Sequence, residues 1–296
     1  MSHQRKVRVL INPNSGIGSS FARTRDALLE YWDLPGTELT FQFSKSKEDS
    51  KNKVQRAIDD GVSTLLVAGG DGMINSIGSE LIGTEMAMGV IPTGSGNGFA
   101  RHFNIPLDPA KAIAALATAQ TKAIDVGYAN DHPFFVTCSL AWDAALVNSF
   151  DKSPMRGVLP YIFAGVYEFF GYQPQPFTFT LDGQEEIIIP DPQLCTIANL
   201  TQYGGGVQIA PEAKSDDGRL QLITIRRKDF AKVLSMVGKI LDGTGDKIRG
   251  IETSSFSTLT VRREKEGPMQ FDGELVTAPA EVRFRVEPRA LNVLVP

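Results

Sequence analysis

Short apolar runs alternate with stretches of helical periodicity through the first part of the chain. "VRVLIN", "LTFQF", "STLLVA" and "AMGVIP" read as strands, "STLLVA" as a buried one. Between them, "SSFARTRDALLEYW" places Phe21, Leu28 and Trp32 on one helical face behind a serine start. Ile74, Ile77 and Leu81 repeat the spacing further on. Asp108-Pro109 ahead of "AKAIAALATA" reads as an N-cap with proline at the first helical position. Strand-helix alternation of this kind predicts a parallel sheet with helices on both faces.

After about residue 124 the rhythm changes. "PFTFTLDGQEEIIIP", "LQLITI", "STLTVRR", "MQFDGELV" and "AEVRFRVEP" are short strands with Asp-Gly and other turn signals. Helical patterns interrupt them around residues 153–171 and in "KDFAKVLSMVGKIL". The reading is an α/β domain over 1–124, then a predominantly antiparallel sandwich or distorted barrel over 125–296, with a cleft between them.

Composition narrows the function classes. A 42% hydrophobic, 22% charged chain of 296 residues with formal net charge −4 can bury a sizeable core and lacks the basic balance of a nucleic-acid binder. The clusters Arg226-Arg227-Lys228 and Arg262-Arg263 read as solvated surface. Cys138 and Cys195 lie in apolar runs and read as buried small hydrophobes. No signal-peptide core precedes the first strand, and "GVLPYIFAGVYEFFGY" is too short to span a bilayer, which needs about 20 residues. The expected location is the cytoplasm, with peripheral contact at a membrane surface left open.

Three glycine-rich turns follow three first-domain strands: "NPNSGIGSS" (12–20), "GGDGM" (69–73) and "PTGSGNGFA" (92–100). Ligands of open α/β sheets sit beyond the carboxyl ends of the strands, and glycine turns offer N–H groups to anions. The expectation is a phosphate site. A P-loop is absent, and Phe99 stands where a dinucleotide fingerprint has its third glycine. Strand-to-helix turns also carry glycine for local geometry alone.

"NPNSG", "GGDGMIN" and "PTGSGNGFAR", in that order, resemble the diacylglycerol kinase catalytic-domain family, which includes bacterial lipid kinases and sphingosine kinases. The resemblance continues through "AWDAALV", "KSPMRGVLPYIFAG", "YGGGVQIAPEAKSDDGRLQL" and "FDGEL". It implies an enzyme of lipid metabolism that uses ATP and Mg²⁺ and has a lipid acceptor. Peripheral membrane contact and a homodimer are compatible with it, and nucleic acid is not a partner. The nucleotide residues it implies are Asn12, Pro13, Asn14, Ser15 and Gly16, then Ser44, Gly69, Gly70, Asp71, Gly72 and Asn75, then Thr93, Gly94, Ser95, Gly96 and Asn97. Asp71 would hold the ATP-bound Mg²⁺. Asp272 or Glu274 would take the proton of the lipid hydroxyl. Asp217, with the Lys214 and Arg219 carbonyls, would hold a second, structural Mg²⁺, and Arg101 and Asp125 would join that polar network.

Asp182-Gly183, Asp217-Gly218 and Asp272-Gly273 are all ordinary hairpin dipeptides, and only the resemblance separates the first, a turn, from the other two. His102 and His132 read as structural, and His3 lies in a loose terminus. Met73, Ser76 and Gly98 depart from the family pattern. The aromatic segment 158–172 suits an acyl chain or a helix packed on a sheet. Two alternatives stay open: a soluble-acceptor kinase of the NAD kinase type, and a non-catalytic lipid- or nucleotide-binding protein.

Overall fold

The structure is a computed structural model that describes residues 5–13, 21–142, 144, 172–229 and 252–296. Asn14, Ser15 and Gly16, the helical pattern expected around 153–171 and most of "KDFAKVLSMVGKIL" lie outside the described residues. The chain divides into two compact units: residues 1–126, 202–206 and 288–296, and residues 127–201 and 207–287.

The first unit opens with β1 (Arg5–Ile11), α1 (Phe21–Trp32), β2 (Thr37–Phe43), α2 (Lys47–Asp59), β3 (Thr64–Gly69) and α3 (Asp71–Leu81). There follow β4 (Ala87–Pro92), α4 (Gly98–His102), α5 (Pro109–Ala117) and β5 (Gln120–Ala129), whose last residues pass into the second unit. The strands run parallel in the order β2-β1-β3-β4. β3 and β4 are buried at every position, as a parallel sheet covered on both faces requires. From β1 the chain steps one way to β2, then crosses back past β1 to β3 and on to β4. Right-handed crossovers therefore send α1 to one face and α2 and α3 to the other. Trp32 on α1 confirms its partner by donating Nε1–H to Ile113 O of α5 at 3.1 Å, while α2 packs on α3. The direction of winding reverses between β1 and β3. The carboxyl ends of these two strands therefore flank the crevice where an open α/β sheet takes its ligand.

α2 is an element that the apolar pattern does not announce. Its sequence KEDSKNKVQRAID buries only Ser50, Val54 and Ala57, and the Ser46 hydroxyl caps it by accepting Asp49 N–H at 3.1 Å. α5 is capped as read: Asp108 accepts Lys111 N–H at 3.0 Å, with proline at the helix start.

The second unit contains β6 (His132–Phe134), β7 (Thr137–Ser139), β8 (Phe177–Leu181), β9 (Ile187–Ile189) and β10 (Pro192–Ala198). After the excursion of β11 (Gln202–Gly204) come β12 (Val207–Gln208), β13 (Leu220–Arg226), β14 (Glu252–Phe256), β15 (Thr258–Arg263), β16 (Gly267–Phe271) and β17 (Glu274–Ala278). β18 (Glu281–Val295) begins in this unit and ends in the first. One antiparallel sheet runs β14-β13-β10-β7-β16-β17; the other joins the start of β18 to β15, β8 and β9. A shared core lies between them, with Cys138, Cys195, Ile197 and Phe271 from the first sheet and Phe177, Phe179, Val261 and Phe284 from the second. This is a sandwich, and both cysteines are buried and free within it.

Arg263 corrects the sequence reading of its cluster. Arg262 is exposed and paired with Glu186 and Glu281, whereas Arg263 is 7% exposed. Alternation along β15 turns the two side chains to opposite faces. The Arg263 guanidinium donates to the carbonyls of Leu140, Gly267, Pro268, Ala278 and Pro279, and burial pushes its pKa down.

Candidate functional site

The ends of β1, β2 and β3 converge through backbone bonds. Asn12 N–H donates to Ala68 O at 3.2 Å, and Ser44 N–H to Ile11 O at 2.8 Å. A pocket of 200 Å³ opens there, lined by Asn12, Ser44, Lys45, Gly72, Met73 and Ser76 among others. Ser44 Oγ is bonded to Ser50 Oγ, and Ser76 Oγ is buried without a partner among the described residues. Met73 and Ser76, the two departures in the second glycine turn, thus both face this pocket with Asn12 and Ser44. Met73 also packs on the turn itself: a Cβ on Gly69 would lie 2.6 Å from its Sδ. Asn75, one turn into α3, is buried.

The second and third glycine turns touch. Thr93 N–H donates to Gly69 O at 3.1 Å, and a Cβ on Gly94 would come within 2.7 Å of Gly70 Cα. Glycine at 94 is therefore required by the approach of backbone to backbone. Asn97 adopts φ +49° and brackets Gly94, accepting its N–H at 3.1 Å and donating Nδ2–H to its carbonyl at 2.7 Å. Asparagine tolerates this left-handed conformation better than most residues. Among the described residues the N–H groups of Ser95 and Gly96 have no acceptor, and α3 begins at Gly70 without a side-chain cap. Uncapped helix starts and glycine-turn amides attract anions.

Asp71 ties these turns together. Its Oδ2 accepts Gly98 N–H at 3.0 Å and its Oδ1 accepts Phe99 N–H at 3.2 Å. The residue remains half-buried, but its carboxylate lies against the Gly96–Phe99 backbone. Burial pushes the Asp71 pKa above the usual carboxylate range, against the pull of the Gly98, Phe99 and Asn97 amides and of the Arg101 guanidinium. A buried carboxylate whose ionisation is disfavoured suits a nearby cation. Each oxygen accepts one N–H, so each keeps a lone pair, and an ion already ligated by phosphates needs little more. The donor set fits Mg²⁺ held mainly by a nucleotide.

In the second unit, Asp272 and Gly273 form the two-residue turn between β16 and β17, with φ +48° and +87°. Positive φ at both positions is the primed-turn geometry of tight hairpins. Asp272 is 7% exposed, and its carboxylate accepts the N–H groups of Phe135, Val136 and Thr137 at 2.7, 2.8 and 3.0 Å. Phe135 and Val136 link β6 to β7, and Thr137 opens β7. Glu274, two residues on, is half-buried at the start of β17. Asp182-Gly183 is also a turn with positive φ, and Asp182 Oδ1 accepts Ser257 and Thr258 N–H, both at 2.8 Å. Asp182-Gly183 and Asp272-Gly273 are hairpin turns whose aspartates also brace neighbouring strands, whereas Asp217-Gly218 is a bend ahead of β13.

Asp217, Lys214 and Arg219 are exposed. Asp217 and Lys214 line a pocket of 660 Å³ with Glu212 and Gln221, and Asp217 Oδ1 accepts Arg219 N–H at 3.1 Å. No group of three His, Cys, Asp or Glu side chains able to hold a metal occurs among the described residues. Any ion here would rest on Asp217 and backbone oxygens, a hard-oxygen set suited to Mg²⁺. Arg101 donates from Nε to Gly96 O at 3.1 Å, and the buried Asp125 accepts Arg289 N–H at 2.8 Å. His102 packs edge-on against Phe103, and His132 begins β6 and stacks on Phe271. Among the described residues no helix is long and apolar enough to cross a membrane.

These features define a class: an α/β unit with glycine-rich turns at the carboxyl ends of its parallel strands, and an antiparallel sandwich. Residues 6–129 match the diacylglycerol kinase catalytic domain, and residues 137–295 match the YegS C-terminal NAD kinase beta sandwich-like domain. A diacylglycerol kinase of Mycobacterium tuberculosis (strain ATCC 25618 / H37Rv) is 30% identical, with 98% of this chain and 95% of that protein aligned. A YegS-like lipid kinase of Chromohalobacter salexigens is 27% identical over 81% of this chain and 78% of its own length. The crystal structure of a diacylglycerol kinase from Bacillus anthracis str. Sterne shares the fold, with TM-score 0.73, 18% identity and coverage of 100% of this chain and 98% of that one. The chain belongs to the diacylglycerol kinase catalytic-domain family of lipid kinases.

Proposed function

We propose that this protein transfers the γ-phosphoryl group of ATP to a hydroxyl of diacylglycerol, a related glycerolipid or a sphingoid base. The observation that carries this reading is the pair of facing glycine turns, with the Ser95 and Gly96 amides lacking acceptors among the described residues beside an uncapped helix start. Phosphoryl transfer asks the protein for positioning and charge stabilisation more than covalent chemistry. The relatives' names, diacylglycerol kinase and lipid kinase, point to the acceptor class.

In this reading the nucleotide phosphates lie on the 70–72 and 94–97 turns, and Asn12, Ser44 and Asn75 complete the cradle. Mg²⁺ would neutralise phosphate charge, with Asp71 as its protein carboxylate. The acceptor oxygen attacks the γ-phosphorus and its proton passes to Glu274. The bond to the β-phosphate oxygen breaks, and ADP leaves with the electron pair. Glu274 is the better base: the Asp272 carboxylate is committed to three backbone amides that hold it as an acceptor in a strand junction.

Labelled ATP and Mg²⁺ offered with a lipid panel and NAD test the proposal. Label should appear on a lipid, and Glu274→Gln should lower kcat by about 10²-fold or more with an unchanged melting temperature. Asp272→Asn should instead lower stability, because an amide NH₂ would face one of the three N–H groups. Label on NAD alone, or ATP binding with no transfer to any lipid, would sink the reading.

A further inference from the structure

The backbone excursion of residues 202–206 is unusual in its chain path. It belongs to the first unit, while Thr201 before it and Val207 after it belong to the second. Three consecutive glycines turn it around: Gly204, Gly205 and Gly206 have φ +114°, +62° and +94°. At its tip Gly205 N–H donates to Gly96 O at 3.1 Å. Arg101 Nε donates to the same oxygen, also at 3.1 Å. A Cβ on Gly96 would lie 3.9 Å from Gly204 Cα and 3.1 Å from Asp71 Oδ2, so the peptide is held between the hook and the carboxylate.

The geometry of one peptide plane gives this contact its meaning. In a trans peptide the C=O and the following N–H point in opposite directions. The Gly96 carbonyl is gripped by Gly205 and Arg101, and the Asn97 N–H on the other edge of that plane faces Asp71. The next two amides, Gly98 and Phe99, also reach Asp71. Rotation of the 96–97 peptide would break both bonds to its carbonyl and turn the Asn97 N–H away from Asp71. We infer that Gly205 is a positioning residue of the third glycine turn. It fixes the Gly96–Asn97 peptide, and with it the path of the turn that carries the Ser95 and Gly96 amides. The proposal rests on the reading of that turn as a phosphate site.

Position 205 allows a sharp test. A Cβ there would meet nothing within 4 Å, so a substitution acts through backbone conformation and not through a clash. Alanine disfavours left-handed φ, whereas asparagine accepts it. Gly205→Ala should weaken ATP binding by about tenfold and raise KM for ATP with little change in kcat, while Gly205→Asn should stay near the wild type. A second arm uses the nucleotide-free protein: amide hydrogen exchange at Asn97 and Gly98 should quicken in Gly205→Ala and remain slow in Gly205→Asn. Equal behaviour of the alanine and asparagine variants in both arms would overturn the inference. Wild-type protein that binds no ATP, with the exchange pattern as expected, would overturn the phosphate reading and leave the positioning role of Gly205 standing.

Discussion

Asp71 shows how much one side chain can be asked to do. Its carboxylate accepts the Gly98 and Phe99 N–H groups of the third glycine turn while burial works against its charge. A raised pKa in the folded state means that ionisation costs stability: the contribution is fullest below the ordinary carboxylate value, near 3.9, and is lost as pH rises through the raised value. Asp71→Asn removes that pH dependence and keeps one acceptor. The stability of wild type relative to Asp71→Asn should therefore fall between about pH 4 and neutrality in urea titrations. Adding Mg²⁺ and ATP should restore much of it, because a cation beside the carboxylate favours the charged form.

The hairpin turns give the contrasting case at the level of elements. Asp182 joins the β8–β9 turn to the start of β15, through Ser257 and Thr258 N–H. Partial burial pushes its pKa up, but the Thr258 and Ser257 amides and Arg219 bring it below the usual carboxylate range. The sign is now the opposite: the contribution is present above the ordinary pKa and lost as pH falls through the lowered one. Asp182→Asn should cost about 1 kcal/mol at neutral pH by thermal unfolding, the gap closing toward about pH 3. The exposed position of the ion pair with Arg219, at 44% and 29% side-chain exposure, adds little to that figure.

At the scale of the whole molecule, the first unit is completed by the end of the chain. Gly83 N–H donates to Ala290 O at 2.8 Å, and Val293 lies beside Met88 in parallel register with β4. Leu291, Val293 and Leu294 are at most 4% exposed, and Leu294 reaches the bare face of Gly89. Three buried aliphatics at about 1.5–3 kcal/mol each amount to roughly 5–9 kcal/mol, comparable with a whole domain's stability of about 5–15 kcal/mol. A fragment of residues 1–126 should therefore fail to give a cooperative melt by circular dichroism. Adding a peptide of residues 288–296 should recover it in a concentration-dependent way.

Much of this protein is written locally. Buried strands and amphipathic helices follow from apolar period, so the α/β half and the strand-rich half are legible, as are the Asp108-Pro109 cap and the buried cysteines. The glycine turns are legible as turns, and the structure adds a packing reason for Gly94, whose Cβ would strike the Gly70 backbone. α2 is not legible, since its stability comes from a cap and from packing of two small apolar residues that no periodicity isolates. Arg262 and Arg263 look alike in sequence, and strand alternation alone sends one to water and the other beneath five carbonyls. What tertiary structure decided is which distant backbone meets which. Gly205 reaching Gly96, Asp272 filling the gap between β6 and β7, and residues 288–296 closing the first sheet are contacts across 100 residues or more. Sequence sets the local conformations that permit these meetings. The meetings themselves depend on the path of the whole chain, which no local pattern records.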